Sequence, residues 1–279
     1  MPEGKAGSIG ELIREVKRVT RAFKTDYRAP EEIWFRGSPC ATLPLLPQLY
    51  REDADKYHYN EESLIEAFRG HAAMLVRRQP ASDWEWYFLA RHHGLPTRLL
   101  DWTESLLTAL YFAIFPELHG DRLYLEELVE AEPKPESYDH TCPAIWILDA
   151  GTLNALAIGE DDIATPEYAP CLAYLTDELD AKPSDLNRFP IAVFSPRLSE
   201  RIIAQQGTFT IHGHQRTPIQ DLAEVHRGIR LARIILDRSR LAHLWSELEL
   251  LGVNRLSLFP DLDSVASHVS WIYQSAVLI

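Results

Sequence analysis

Cysteine is scarce in this chain, and what there is sits far apart: Cys40, Cys142 and Cys171, with no C-x-x-C pair. An odd number at such spacing builds neither a disulfide framework nor a cysteine zinc site. No H-E-x-x-H is present either, so no metal centre is expected. The Walker A pattern, G-x-G-x-x-G and G-x-S-x-G are all missing, which argues against P-loop NTPases, Rossmann dehydrogenases and α/β-hydrolases. Long apolar runs are missing too. The longest, LLTALYFAIF from Leu106 to Phe115, falls far short of the roughly 20 residues that a membrane span needs. The opening MPEGKAGSIGEL lacks the apolar centre of a secretory signal, so a cytoplasmic location is expected. Positive charge is in deficit, with 28 Lys and Arg against 41 Asp and Glu and a net charge of −13. A protein that grips duplex nucleic acid through its phosphates needs a basic face, and none is evident. The densest basic run, Arg227, Arg230, Arg233, Arg238 and Arg240, is flanked by acidic residues and reads as a solvated face.

What is present is a globular composition, 46% hydrophobic and 25% charged, over 279 residues. Ile9, Leu12, Ile13, Val16, Val19 and Phe23 recur at helical spacing behind a capping box of Ser8 and Glu11, which predicts a first helix over 8–24. EIWFRGSP then reads as a buried strand that ends on Arg36 and turns at Gly37. Three prolines in SPCATLPLLPQLYR forbid a long helix or a central strand there. Asn60 is a cap for a helix carrying Leu64, Ile65, Phe68, Ala72 and Leu75. Ser82 and Glu85 form a second capping box, and Gly94 with Pro96 ends that helix. Thr103 is expected to cap the apolar helix from Leu106 to Phe115. Residues 129–141 are acidic and proline-containing and read as a surface loop.

Later the pattern turns strand-like, in AIWIL (144–148), IAVFS (191–195), TFTIH (208–212) and ARIIL (232–236). Helices over 239–251 and 262–273 close the chain, with Asp261 at the start of the second. Helices early and strands late predict an α+β fold. The expectation is one compact domain over 1–279 with its core at 31–273, a helix-rich first half packed on a small mixed or antiparallel sheet.

The segment richest in chemistry is RHHGLPTRLLDWTES (Arg91 to Ser105), read as a helix–turn–helix junction. Arg36 keeps its charge in any protein environment, so it needs an anion, either Asp101 or a ligand. Arg98 and Asp101, three apart, could meet across a helical turn. His92 and His93 point to different sides of a helix and cannot share a metal. Of Gln205 and Gln206, alternation before a strand exposes one and buries the other.

WFRG, HHGLPTRLLDWTESLLTALYFA, RIIAQQGTFTIHG and GVNRLSLFPDLDSVA together resemble the FRG-domain family, over roughly Glu31 to Tyr273. His93 departs from the pattern, standing where many members carry tyrosine. The resemblance implies a bacterial or phage protein, in settings that include antiphage defence and toxins. The order of motifs is also similar to that of arginine-type ADP-ribosyltransferases, in which an early arginine holds NAD, middle hydroxyls position it, and a late Glu or Gln contacts the ribose. That likeness implies Arg36, His93 and Gln206 as catalytic residues, with Gly37, Thr97, Arg98, Asp101, Thr103 and Ser105 binding the ligand. Gln206 stands where such a transferase carries glutamate, which removes a general base.

The leading expectation is thus a nucleotide- or NAD-handling effector, with NAD as substrate and a protein or nucleic acid as a possible acceptor. The alternatives are a recognition module that senses a phage or nucleic-acid component, and a nuclease effector. Oligomeric state is left open.

Overall fold

The computed structural model describes residues 1–24, 32–51, 60–76, 78–115, 141–175, 187–197 and 199–276. Seven strands form one sheet: β1 Glu3–Ala6, β2 Ile33–Ser38, β3 Leu99–Thr103, β4 Ala144–Asp149, β5 Ile191–Val193, β6 Gly207–Ile211 and β7 Leu231–Leu236. Among the described helices, α1 Ile9–Phe23, α2 Glu61–Ala72, α3 Asp83–His92 and α4 Leu106–Ile114 come in the first half. Then follow α5 Ala150–Ala157, α6 Ala169–Leu172, α7 Glu200–Gln205, α8 Ile219–Val225, α9 Leu241–Leu250, α10 Arg255–Leu258 and α11 Leu262–Ala276. The sheet order is β1-β7-β4-β2-β3-β6-β5, with β1 parallel to β7 and every other pair antiparallel. The fold is α+β with a mixed sheet, larger than the small one expected.

Strand β4 lies between β7 and β2, and all six of its residues are buried, which is why it reads as an unbroken apolar run. On one face, Phe35, Ile147 and Ile234 pack against α1, α4 and α9. On the other, Trp34, Trp146 and Leu148 meet Leu153 of α5 and Leu222 of α8. Over β3, β6 and β5, Leu99, Phe209 and Ile211 pack against Ile65 of α2 and Trp84, Tyr87 and Phe88 of α3. Leu99 and Thr103 are on one side of β3, and Thr103 pairs with Phe35. The α2–α3 pair and the α1–α4–α9 group therefore lie on the same face, side by side.

Between those groups the sheet has a seam. β2 and β3 pair only at Phe35 and Thr103. An antiparallel ladder would next bring Gly37 opposite Asp101, but the strands part there. Gly37 is required by the helix above it: a Cβ would stand 2.0 Å from the Ala109 carbonyl oxygen and 2.5 Å from the Ala113 amide nitrogen. It allows close packing of α4 on β2, and the strand runs on to Ser38 instead of turning at Gly37 as the sequence suggests.

At the far edge, Asn154 of α5 accepts the Ala192 N–H at 2.6 Å and donates to its carbonyl at 3.0 Å. The free side of β5 is thereby closed without another strand.

Local capping follows the sequence closely. Ser8, Asn60, Ser82 and Ser199 accept the amides of Glu11, Ser63, Glu85 and Ile202. In both expected boxes the glutamate reaches one residue beyond the cap: Glu11 to the Gly7 N–H at 2.8 Å and Glu85 to the Ala81 N–H at 2.7 Å. Asp261 accepts the Ser264 N–H at 2.7 Å at the head of α11.

Two expectations need correction, and one strand lies where the sequence marks none. Residues 91–105 are not a helix–turn–helix junction: after the Gly94 turn (φ 88°), LLDWT is strand β3. A short apolar run does not distinguish strand from buried helix, and here β6 pairs along its whole length. Thr103 does not cap α4. Ser105 does, accepting the Thr108 N–H at 3.2 Å, while Thr103 Oγ1 accepts the Ser105 N–H at 3.0 Å. Glu3–Ala6, a polar stretch without a strand pattern, is a strand because β7 offers it an open edge. Of the loop expected at 129–141, all but Thr141 lies outside the described residues. Among the described residues no helix is long and apolar enough to cross a membrane.

Candidate functional site

Where β2 and β3 part, a cleft of about 400 Å³ opens between α3 and α4 and is closed on its far side by α7. Its lining includes Phe35, Arg36 and Gly37 from β2, Arg91 and His92 from α3, and Asp101, Trp102 and Thr103 from β3. Thr108 and Phe112 of α4, Arg201, Ile202 and Gln205 of α7, and Gly207 and Phe209 of β6 complete much of the wall.

Arg36 bridges the seam. Its Nη1 donates to the Asp101 backbone carbonyl, a group that the broken ladder leaves available. The same nitrogen is 3.9 Å from Asp101 Oδ2. Burial, with the charges of Arg51 and Arg91 nearby, pulls Arg36 down to about 10 against the pull of Asp101. It stays charged at neutral pH.

The Asp101 carboxylate is held chiefly by Arg91, whose Nε lies 3.2 Å from both oxygens and whose Nη2 lies 2.5 Å from Oδ2. Burial alone would raise the Asp101 carboxyl, but Arg91 and Arg36 outweigh it and hold it below its ordinary value. Its side chain remains 44% accessible, so the carboxylate stays in reach of a ligand.

The third cation is Arg201. Its guanidinium lies over the Phe259 ring, 4.4 Å from the centroid, and its buried Nε has no hydrogen-bond partner among the described residues. Burial, and secondarily the Arg201 charge, lowers His92 to about 4, so His92 is a neutral imidazole at neutral pH. Among the described lining residues, three guanidiniums face the single carboxylate of Asp101, leaving two net positive charges in a chain of net −13. Phe35, Phe112 and Phe209 supply apolar wall around them. The arrangement suits an anion joined to a flat, partly apolar body.

Residues 31–122 match the model of the FRG domain. The chain carries an FRG domain. That match takes in Arg36, Arg91, His92, Asp101, Thr103 and Phe112, while Arg201, Gln205 and Phe209 lie beyond it. The FRG match thus supplies the seam and two walls of the cleft, and a later part of the chain supplies the third. A search of the curated proteins and of the solved structures returned no match.

Of the FRG-domain residues singled out from sequence, Arg36, Gly37, Asp101 and Thr103 converge on the cleft. Thr103 Oγ1 is already engaged, donating to the Gln205 carbonyl at 2.7 Å. His93, Thr97, Arg98, Ser105 and Gln206 are not among the described lining residues. His93 ends α3, exposed beside Phe68, and its neighbour His92 faces the cleft instead. Gln206 takes a left-handed conformation (φ 47°) that ends α7, and its carbonyl accepts the Glu104 N–H at 3.0 Å. Gln205 faces the cleft, with its Nε2 donating to the Leu258 carbonyl at 3.1 Å. Thr97 is fully buried, its Oγ1 accepting the Leu99 N–H at 3.3 Å.

Arg98 does not meet Asp101, because no helical turn joins them. It is 1% exposed and pairs with Glu61, Nε to Oε2 at 2.5 Å, while its own N–H reaches Oε1 at 2.7 Å. It also donates to the carbonyls of His212 and Tyr174 and to the Tyr87 hydroxyl.

Arg91 and Arg201 were missed by sequence reasoning. Arg201 was within reach of it: on a helix it shares a face with Gln205, four residues on. No comparable signal marks Arg91, whose partner Asp101 becomes near only through the Gly94 turn and β3.

Among the described residues no group of three or more His, Cys, Asp or Glu side chains is placed to hold a metal ion.

Proposed function

We propose that the cleft binds a nucleotide through its phosphates, and that this FRG-domain chain is a nucleotide-handling effector. The convergence of Arg36, Arg91 and Arg201 on one cleft supports the reading most strongly. Guanidinium forks match phosphate oxygens, and the aromatic wall gives a base or nicotinamide a surface to lie against. NAD is the specific substrate that the order of motifs favours. In that case the bond between ribose and nicotinamide breaks, nicotinamide leaves, and water or an acceptor nucleophile bonds to the ribose carbon. His92, neutral, and Gln205 are among the polar groups available to the ribose. The setting implied by the resemblance is antiphage defence or toxicity.

A second reading, a recognition module that binds without chemistry, is favoured by one observation. The lining carboxylate, Asp101, is chelated by Arg91 and held ionised, which makes it a poor base.

Incubating the purified chain with NAD and measuring nicotinamide by chromatography separates the two. Release that falls on Arg36→Met supports the enzyme. Nucleotide-dependent thermal stabilisation without release supports the recognition module. No binding of NAD, ADP or ATP refutes the nucleotide reading altogether.

A further inference from the structure

We infer that Arg201 is the anchor for the ligand's phosphate, and that the anion it takes carries two negative charges. This rests on the nucleotide reading of the cleft.

The other two cations are partly engaged within the protein. Arg91 chelates Asp101 and reaches Gln48 Oε1 at 3.4 Å. Arg36 gives Nη1 to the Asp101 carbonyl. Arg201 makes no such close ion pair among the described residues, although the charges of Asp101 and Asp261 act on it: its Nε is buried without a partner among the described residues, and its plane is supported by Phe259. The nearby carboxylate of Asp101 is already matched by Arg91 at 2.5 Å. A partly buried guanidinium whose Nε lacks a partner is costly, and a ligand phosphate supplies what is missing.

The anchor is also held in advance. Gln205, one turn after Arg201, donates to the Leu258 carbonyl at 3.1 Å, beside Phe259. Helix α7 and the 258–259 turn therefore hold the guanidinium and its aromatic support together. Such preorganisation lowers the entropic cost of binding.

The charge count sets the class of anion. Three lining guanidiniums against one carboxylate leave two positive charges to neutralise. A terminal phosphate, or the diphosphate inside a dinucleotide, carries about that charge. The shared chemistry is a phosphate group with two negative charges, and the ligand tested distinguishes its sources. Arg201 and Phe259 lie outside the 31–122 match, so the anchor belongs to the part of the chain that follows it.

The test is calorimetric titration of the full chain with pyrophosphate, AMP, ADP and NAD, for wild type, Arg201→Met and Arg201→Lys. Methionine keeps an apolar contact with Phe259 and removes the charge. The expected result is binding to Arg201→Met weakened by about 10- to 100-fold, with Arg201→Lys between it and wild type. Melting temperature should stay unchanged or rise slightly, since the loss removes a buried Nε donor that has no partner among the described residues. Raising salt should weaken wild type more steeply than Arg201→Met. Preference for AMP or ADP points to a terminal phosphate, and preference for NAD to an internal diphosphate. If the variant binds ADP and NAD as tightly as wild type, Arg201 is not the anchor and the nucleotide reading stands without it. If wild type binds none of the four, both fall.

Discussion

Breaking the Glu61–Arg98 pair should be among the most damaging single changes in this protein. Arg98 is 1% exposed and Glu61 8%, so neither charge is solvated by bulk water. Glu61 answers Arg98 twice, taking Nε at 2.5 Å and the backbone N–H at 2.7 Å. In Glu61→Leu the guanidinium keeps the His212 and Tyr174 carbonyls and the Tyr87 hydroxyl but loses its counter-ion. Removing one partner of a buried pair costs about 3–5 kcal/mol. At about 2 °C or more per kcal/mol for a chain of this size, the melting temperature should fall by on the order of 10 °C. The double variant Glu61→Leu/Arg98→Met removes both charges and should recover much of the loss, because buried pairs are often replaceable by apolar groups of similar volume. Thermal and urea unfolding, read by circular dichroism, measure both. A single variant within 2 °C of wild type, or a double variant worse than the single, would refute the reasoning. The double variant also tests function. Arg98 is absent from the described lining of the cleft, so the folded double variant should bind nucleotide as wild type does.

Gly37→Ala should destabilise by several kcal/mol or prevent soluble expression, because α4 must lift to make room. Gly70→Ala is the control: an added Cβ there meets nothing within 4 Å, the site is helical, and a gain of about 0.5–1 kcal/mol is expected in denaturant unfolding. Stability should fall on acidification through His212, which is fully buried and lowered to about 3, first by burial and then by the Arg98 charge. With the folded value below the unfolded one, the unfolded state binds the extra proton. The stabilisation is therefore complete above about pH 6.5 and declines toward pH 3, by up to about 1.4 kcal/mol per unit. His212→Phe should flatten that slope between pH 6 and 4, as measured by urea unfolding at each pH. An unchanged slope would mean that other groups set the acid limit.

Much of the local structure was legible from sequence because its causes are local. The spacing of Leu12, Val19 and Phe23 marks one buried face of α1. Ser8, Asn60 and Ser82 cap because their oxygens reach amides three residues on. AIWIL and ARIIL are adjacent strands whose side chains are nearly all buried. Arg36 was recognisable as a cation in a short buried strand that needs an anion, although the strand runs on past it to Ser38. What was not legible depends on partners distant in the chain. LLDWT is a strand because TFTI pairs with it, more than a hundred residues later. Arg98 looked like a ligand anchor until Glu61, 37 residues earlier, proved to hold it. The choice between His92 and His93, or Gln205 and Gln206, turns on about one residue of helix phase at a terminus, where sequence periodicity is weakest.

From sequence alone come the α+β class, the caps, most of the strands and the presence of charged groups near Arg36 and Asp101. Those follow from backbone propensity and alternation, which act over a few residues. Only tertiary structure decides that β2 and β3 part after one pair, that Arg36 fills the gap, and that Arg91 rather than Arg36 chelates Asp101. It also brings Arg201 from the second half of the chain to the same cleft. The physical reason is that α3 and α4 pack side by side on one face of the sheet, each over its own cluster, and the space between them is a property of that packing.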